Sequence, residues 1–273
     1  MTSDFAYDPV TAIDEATATG TTAEVFSDIR ETMGIPLVTS IWRGLAGMDD
    51  SLHAVWNATK PIYLSGQADR ALERVIKQTP LPIPQVPPPT LLTCVGIDDA
   101  QLASIRNVLN AYNRSNGLNM VALAGLCAQD RADPEEACPR NLPVWNTLPA
   151  LQSHEAIDAN TWDLIRHVNA IGTTGVDAHV ATLWRHLGHW PGLLAVLHTA
   201  LTPLQTDGSI SKATHRMVEL TRHEGTRLAG WRDETVALTE QARATVTSYV
   251  TSPAQVARMV TIGHALAAWL PRT

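Results

Sequence analysis

The chain has 273 residues, of which 45% are hydrophobic, so it can bury a sizeable core in one large domain or two ordinary ones. A net charge of −7 without any block of Lys or Arg offers no basic surface to a phosphate backbone, which excludes nucleic acid as a partner. No apolar run is long enough to cross a bilayer and residues 1–8 do not resemble a signal peptide, so we predict a cytoplasmic protein without a membrane partner.

Three scattered cysteines are too few for a disulfide framework or a zinc finger, which fits a reducing compartment: Cys94, Cys127 and Cys138. Homodimerisation is left open by the sequence.

Helical periodicity dominates every segment that is not rich in proline, and alternating strand patterns are scarce, which indicates an all-α fold. The first clear stripe of apolar positions, at the spacing of one helix face, is Val38, Ile41, Trp42 and Leu45. The same spacing predicts helices over residues 102–112, 180–187 and 210–220. After 102–112, the sequence Ser115-Asn116-Gly117 predicts a break.

Two proline-rich segments interrupt this pattern. Residues 79–90 contain six prolines and are predicted to form an extended strap without helix. Residues 130–149 contain four more and are predicted to connect two halves of the chain. A docking motif for a proline-binding domain is the alternative interpretation of the first segment.

The chain contains an internal repeat. With a constant shift of 142 and no gap, nine of 33 positions from 42 to 74 are identical to positions 184 to 216, where composition alone would give roughly two. Trp42-Arg43 therefore corresponds to Trp184-Arg185. We predict two tandem helical repeats packed as an intramolecular pseudo-dimer, with repeat 1 over residues 1–135, a linker over 136–152 and repeat 2 over 153–273. Because both repeats carry the Trp-Arg pair, we interpret Arg43 and Arg185 as structural residues.

A position where the two copies differ in charge is a candidate for specialisation. At the shift of 142, Ile35 corresponds to Asp177, which follows Thr173-Thr174-Gly175 at a predicted helix start. An aspartate there can simply stabilise the helix start, because free backbone amides and the helix dipole favour a carboxylate. A functional role requires a partner.

Asn113 is the candidate partner. It lies four residues after Leu109, on the predicted inward face of its helix. A buried amide must be hydrogen-bonded, so Asn113 is either a satisfied core residue or a group that holds water or ligand.

Three motifs carry a family resemblance: DIRETMGIPLVTSIWRGLAG at 28–47, IRNVLNAYNRSNGLNMVAL at 105–123 and TTGVDAHVATLWRHLGHWPGLL at 173–194. In this order, they resemble the group I 2-haloacid dehalogenases, over roughly residues 16–269. The resemblance implies an all-helical pseudo-dimer that works without metal or organic cofactor. It implies hydrolysis of a small halogenated carboxylic acid by direct attack of water, with inversion and without a covalent enzyme ester.

The resemblance also implies roles for individual residues. Asp177 is the expected general base, and Asn113 is expected to help to hold the attacking water. Val176, beside the base, is expected to line the substrate pocket. The family's aromatic halide-binding positions correspond to Ile35 and Val38 in this chain, which weakens the expected halide site.

Two further residues are candidates for the substrate pocket. Trp42 and Tyr249 can compensate for the missing aromatic side chains. Trp42 is expected one helical turn further along the same helix, and Tyr249 is expected on the other side of the interface between the repeats. Core packing is the alternative for both residues.

Two other functions are compatible with the sequence. A metal-dependent hydrolase is suggested by His179, His186 and His189 and by the pair Glu219 and His223, although neither HExxH nor paired Glu-x-x-His motifs are present. Surface or capping roles are the alternative for these histidines. A non-catalytic binding protein for small acids could use the same scaffold, since a fold does not determine function.

Overall fold

A computed structural model describes residues 12–85, 88–173 and 180–271. Within these ranges all regular structure is helical, which confirms the predicted all-α fold, and none of the described helices is both long and apolar enough to cross a membrane. The α-helices are α1 (Gly20–Met33), α2 (Ser40–Ala46), α3 (Ser51–Leu64), α4 (Gln67–Gln78), α5 (Pro88–Cys94), α6 (Asp99–Cys127), α7 (Ala159–Ala170), α8 (Thr182–His186), α9 (Pro191–Thr206), α10 (Ser209–Leu228), α11 (Glu240–Thr251) and α12 (Arg258–Trp269). A π-helical turn, Pro253–Ala257, precedes α12.

The helix order of the first half recurs in the second. Helices α2, α3 and α4 correspond at the shift of 142 to α8, α9 and α10. The glycine before α4 and the glycine before α10, Gly66 and Gly208, both adopt left-handed backbone with φ of 74° and 78°. Both α3 and α9 contain an internal proline, Pro61 and Pro203. We propose on these grounds that the chain arose by duplication.

The described hydrophobic residues form two clusters, and α6 passes through both. In the first cluster, the second half of α6, from Leu118 onwards, packs with α1 to α4 and with residues of α11. In the second cluster, the first half of α6, from Leu102 to Tyr112, packs with α7, α8 and α9. The helix α12 contributes Val260 to the first cluster and Met259, Ile262, Leu266 and Trp269 to the second. Each cluster therefore contains residues from both predicted repeats, and the repeat bounds at 135 and 153 remain a prediction.

The predicted helix break at Ser115-Asn116-Gly117 is wrong, because α6 continues without interruption to Cys127. A Cβ atom on Gly117 would lie 2.7 Å from both terminal carbons of Leu72. The glycine is therefore a close-packing position against α4 and not a helix terminator.

The predicted extended strap is also shorter than expected. Residues 80–85 are not helical, but α5 begins at Pro88, inside the segment predicted to lack helix. Proline is tolerated in the first turn of a helix, because the backbone amide that it lacks has no partner there.

The connection between the halves contains no helix from residue 128 to residue 153, in agreement with its proline content. It is fixed to both halves through backbone groups. The Cys138 amide donates to the Ser65 carbonyl at 2.8 Å, and the Trp145 indole donates to the Gly34 carbonyl at 3.0 Å. Further along, the side chains of His186 and His189 bond to the carbonyls of Pro149 and Ala150, both at 2.7 Å.

Candidate active site

A buried amide, Asn119 on α6, is the centre of a polar cluster inside the first hydrophobic core. Its Oδ1 accepts hydrogen bonds from Trp42 Nε1 and from the Tyr63 hydroxyl, both at 3.0 Å. Its Nδ2 donates to Thr39 Oγ1 at 2.8 Å. Asn119 and Trp42 are fully buried. The amide therefore fixes side chains from α2, from the residue that precedes α2 and from α3.

Tyr249 joins this cluster from α11, where its hydroxyl is hydrogen-bonded to Asn119. Burial raises the pKa of Tyr249 and of Tyr63 well above the usual range of a phenol, and the proximity of Tyr249 raises that of Tyr63 further. Both hydroxyls therefore stay protonated at neutral pH. The cluster is therefore an internally hydrogen-bonded group of neutral side chains in an otherwise apolar environment.

Four predicted substrate residues lie in this one hydrophobic cluster: Ile35, Val38, Trp42 and Tyr249. Ile35 and Val38 are both 4% exposed. The Val38 amide donates to Glu15 Oε2 at 2.8 Å, which fixes the backbone just before α2. The structure thus brings together residues from both ends of the sequence, with aliphatic side chains at positions 35 and 38.

Asn113 lies on a different side of α6. It is 5% exposed, and its Nδ2 donates to the Gly263 carbonyl of α12 at 3.0 Å. The contact is so close that a Cβ atom on Gly263 would lie 2.1 Å from Asn113 Oδ1. Asn113 and Asn119 are six residues apart, roughly 9 Å along the helix and about 240° around it. These contacts do not join Asn113 to Trp42 or Tyr249.

Asp177 and Val176 lie outside the described residues. The described residues on either side are anchored. The Arg258 guanidinium donates to the Asn169 carbonyl at 2.7 Å and to the Ile171 carbonyl at 3.0 Å, at the end of α7. The Ala181 amide donates to Asn169 Oδ1 at 3.0 Å.

The histidines of the metal hypothesis are engaged in other contacts. The Nε2 atoms of His186 and His189 bond to backbone carbonyls, and His186 Nδ1 accepts from the Tyr112 hydroxyl at 3.3 Å. Burial lowers the pKa of His186, so its ring is neutral at physiological pH. Among the residues that the structure describes, no group of three or more His, Cys, Asp or Glu side chains could hold a metal ion. His179 lies outside the described residues.

Asn119 and Tyr63 are site candidates that the sequence analysis missed. The predicted break at Ser115-Asn116-Gly117 placed Asn119 outside any helix. Had the helix been continued, the seven-residue spacing from Tyr112 would have placed Asn119 on the same buried face. Tyr63 lies seven residues after Trp56 on α3, so the same spacing would have placed Tyr63 on the buried face that carries Trp56.

Comparison with known proteins identifies relatives of this chain. A configuration-inverting 2-haloacid dehalogenase of Pseudomonas sp. (strain 113) is 24% identical in an alignment 260 positions long, which covers 86% of this chain and 82% of the relative. No family model matches the chain.

Solved structures agree in fold. A D-2-haloacid dehalogenase mutant superimposes with a TM-score of 0.77 at 14% identity, covering 95% of both chains. A D-2-haloacid dehalogenase in complex with L-LA gives a TM-score of 0.76 at 14% identity, covering 95% of this chain and 96% of the other. The resemblance to the group I 2-haloacid dehalogenases that was predicted from the sequence is confirmed.

Proposed function

We propose that this protein hydrolyses short 2-haloalkanoic acids to 2-hydroxy acids with inversion at the reacting carbon. The observation that carries the proposal is the similarity to a configuration-inverting 2-haloacid dehalogenase over 86% of this chain. The common fold of this chain and the D-2-haloacid dehalogenases supports it. Cytoplasmic location and homodimer formation stay predictions.

The proposed reaction is a single displacement. A water oxygen forms a bond to C2 while the carbon–halogen bond breaks, and the halide leaves with the electron pair. The water proton passes to the carboxylate of Asp177, the general base, and Asn113 is the proposed second group on the attacking water. General-base assistance of this kind contributes roughly 10²- to 10⁴-fold, and positioning of the water contributes more. No metal or organic cofactor takes part in the proposed step.

The chemistry of the buried cluster fits this reaction. Ile35 and Val38 supply apolar surface, and the Tyr249 hydroxyl supplies an O–H group, whereas the N–H of Trp42 and the O–H of Tyr63 are donated to Asn119 and hold the two rings in place. In a site without bulk water, a fixed donor stabilises an anion without reorganisation as charge develops. We propose that these groups surround the departing halide and that Val176 influences which enantiomer is accepted.

A second candidate function is the binding of small acids without turnover. The aliphatic side chains at Ile35 and Val38 favour it, because the family's halide-binding positions are aromatic. A metal-dependent hydrolase is the third candidate. Halide release that is unchanged after dialysis against a chelator would exclude it.

Halide release from racemic 2-chloropropionate distinguishes catalysis from binding. We expect the wild-type protein to release halide and Asp177→Asn to lose activity by a factor of at least 10³, because the amide cannot accept the water proton. Asp163→Asn, which changes an exposed aspartate on α7, is the matched control and should retain activity. A fully active Asp177→Asn variant would overturn the assigned base, and an inactive wild-type protein that still binds 2-chloropropionate would favour the binding function.

A further inference from the structure

A cavity of about 990 Å³ lies between the two halves of the chain. It is bounded by the residues before α1, the connection from α1 to α2, the helix α8 and residues 145–155. Its size is at the upper end of the roughly 300 to 1,000 Å³ of small-molecule sites. Neither Asn113 nor Asn119 is among its lining residues, so it is distinct from the polar cluster.

Charge in this cavity is arranged by depth. Three arginines line it: Arg43 and Arg185 are only 3% and 4% exposed, whereas Arg30 is half-buried and forms an ion pair with Glu15. Three carboxylates also line it: those of Asp14 and Glu155 are exposed, and that of Glu15 is half-buried and paired with Arg30. The two fully buried charged side chains of the cavity are therefore both cationic.

The two buried arginines occupy corresponding positions in the two halves and are held in the same way. Arg43 Nε donates to the Ile13 carbonyl at 3.1 Å, and an Arg185 terminal nitrogen donates to the Gln152 carbonyl at 2.9 Å. Ile13 and Gln152 each lie seven residues before a helix, α1 and α7. These bonds fix the positions of both guanidinium groups before any ligand arrives, which lowers the entropy cost of binding an anion.

A hydroxyl group in the same cavity lacks a partner. Thr182 lines the cavity and is 8% exposed, and its buried Oγ1 has no hydrogen-bond partner among the residues that the structure describes. A buried hydroxyl without a partner is unfavourable, so a ligand that satisfies it gains affinity. A ligand with an acceptor oxygen meets this requirement.

Apolar side chains form part of the remaining walls, among them Leu37, Trp145 and Leu148. We infer that this cavity binds an organic carboxylate with an apolar body, whose charged end lies among Arg43, Arg185 and the Thr182 hydroxyl. Val38 lines this cavity and also belongs to the proposed halide surroundings. The inference does not depend on the proposed hydrolysis, because Arg43, Arg185 and Thr182 have no role in the proposed reaction.

Calorimetric titration with 2-phenylpropionate tests the inference, since this acid carries no halogen and cannot be turned over. We expect binding of the acid and at least tenfold weaker binding of 2-phenylpropanamide, which has nearly the same shape without the charge. Thr182→Val should weaken binding of the acid about tenfold, whereas Thr182→Ser should restore it. Ser40→Ala, at the position that corresponds to Thr182 in the first half, is the matched control and should bind like wild type.

Three results would overturn the inference. Binding of acid and amide with equal affinity would exclude recognition of the carboxylate. An unchanged affinity of a folded Thr182→Val variant would exclude the hydroxyl. Binding of inorganic phosphate with the same affinity as 2-phenylpropionate would show a general anion site without a preference for an apolar body.

Discussion

At the scale of single residues, Asn119 is the side chain with the most consequences. Its amide joins groups from four separate stretches of the sequence, those that contain Thr39, Trp42, Tyr63 and Tyr249. A buried amide has hydrogen-bonding capacity on both of its ends, so one residue can satisfy several buried donors and acceptors. The aromatic side chains of the candidate site therefore depend on this residue for their orientation.

Replacement of Asn119 by Leu should destabilise the protein by about 2 to 5 kcal/mol, because the buried donors of Trp42 and Tyr63 lose their acceptor. Urea unfolding followed by circular dichroism measures this change. Asn110→Leu is the control, since Asn110 lies on the same helix but is exposed. Equal unfolding free energies for the two variants would show that the cluster does not contribute to stability.

The candidate site could be predicted from the sequence only in part. Trp42 and Tyr249 were predicted to lie in one pocket from the family resemblance, and the structure places both against Asn119. Periodicity alone could not show this, because it predicts which face of a helix is buried but not which residues pack against that face. Asn119 was missed because Ser115 and Gly117 were interpreted as a helix break, while in the structure they are buried within α6.

At the scale of secondary structure, the same local signals have different meanings in different packing environments. Gly117 and Pro88 predict interruption by their intrinsic preferences, yet the first lies inside a helix and the second begins one. Tertiary contacts override such preferences when they bury enough apolar surface. The helix order and its repetition at a shift of 142 could be read from the sequence, because they depend on patterns many residues long.

Gly66 and Gly208 allow the two halves to be compared directly. Both have positive φ, but a Cβ atom on Gly66 would lie 2.0 Å from the Cys138 carbonyl oxygen, whereas one on Gly208 would meet no atom within 4 Å. Gly208→Ala should cost about 1 kcal/mol through backbone strain alone. Gly66→Ala should cost at least about 2 kcal/mol more, because it also displaces the connection between the halves.

Guanidinium chloride unfolding of the two variants measures this difference. Wild-type protein and each single variant should be compared at the same pH and concentration. Similar losses for Gly66→Ala and Gly208→Ala would show that the contact between Gly66 and the connection has little energetic importance.

At the scale of the whole molecule, the partly buried His264 couples stability to pH. Burial lowers the pKa of His264 from 6.5 to about 4, so the native state keeps the ring neutral while the unfolded chain binds a proton below pH 6.5. Stability is therefore complete above about pH 6.5 and is lost as the pH falls towards 4. A difference of this size corresponds to roughly 3 kcal/mol.

His264→Leu should remove most of this dependence between pH 6.5 and 4. Urea midpoints at several pH values in that window measure it, with His223→Leu, which changes an exposed histidine on α10, as control. A variant His264→Leu that loses as much stability as wild type over this window would contradict the assignment.

In the proposed reaction, the two halves of the molecule form a site where water attacks a 2-haloacid directly. The contacts that shape the interior, such as those of residues 128–153 with both halves, lie in irregular backbone that periodicity does not describe. The assignment of the base to Asp177 comes from a charge difference between the repeats together with the family resemblance.

A single-turnover reaction in H₂¹⁸O, with enzyme in excess over one enantiomer of 2-chloropropionate, tests this claim most directly. Mass spectrometry and chiral chromatography of the lactate would report the origin of its new oxygen and its configuration. We predict that the first turnover gives fully labelled lactate of inverted configuration. Unlabelled lactate in that turnover would show that an enzyme carboxylate supplied the oxygen through a covalent ester, and would contradict the account.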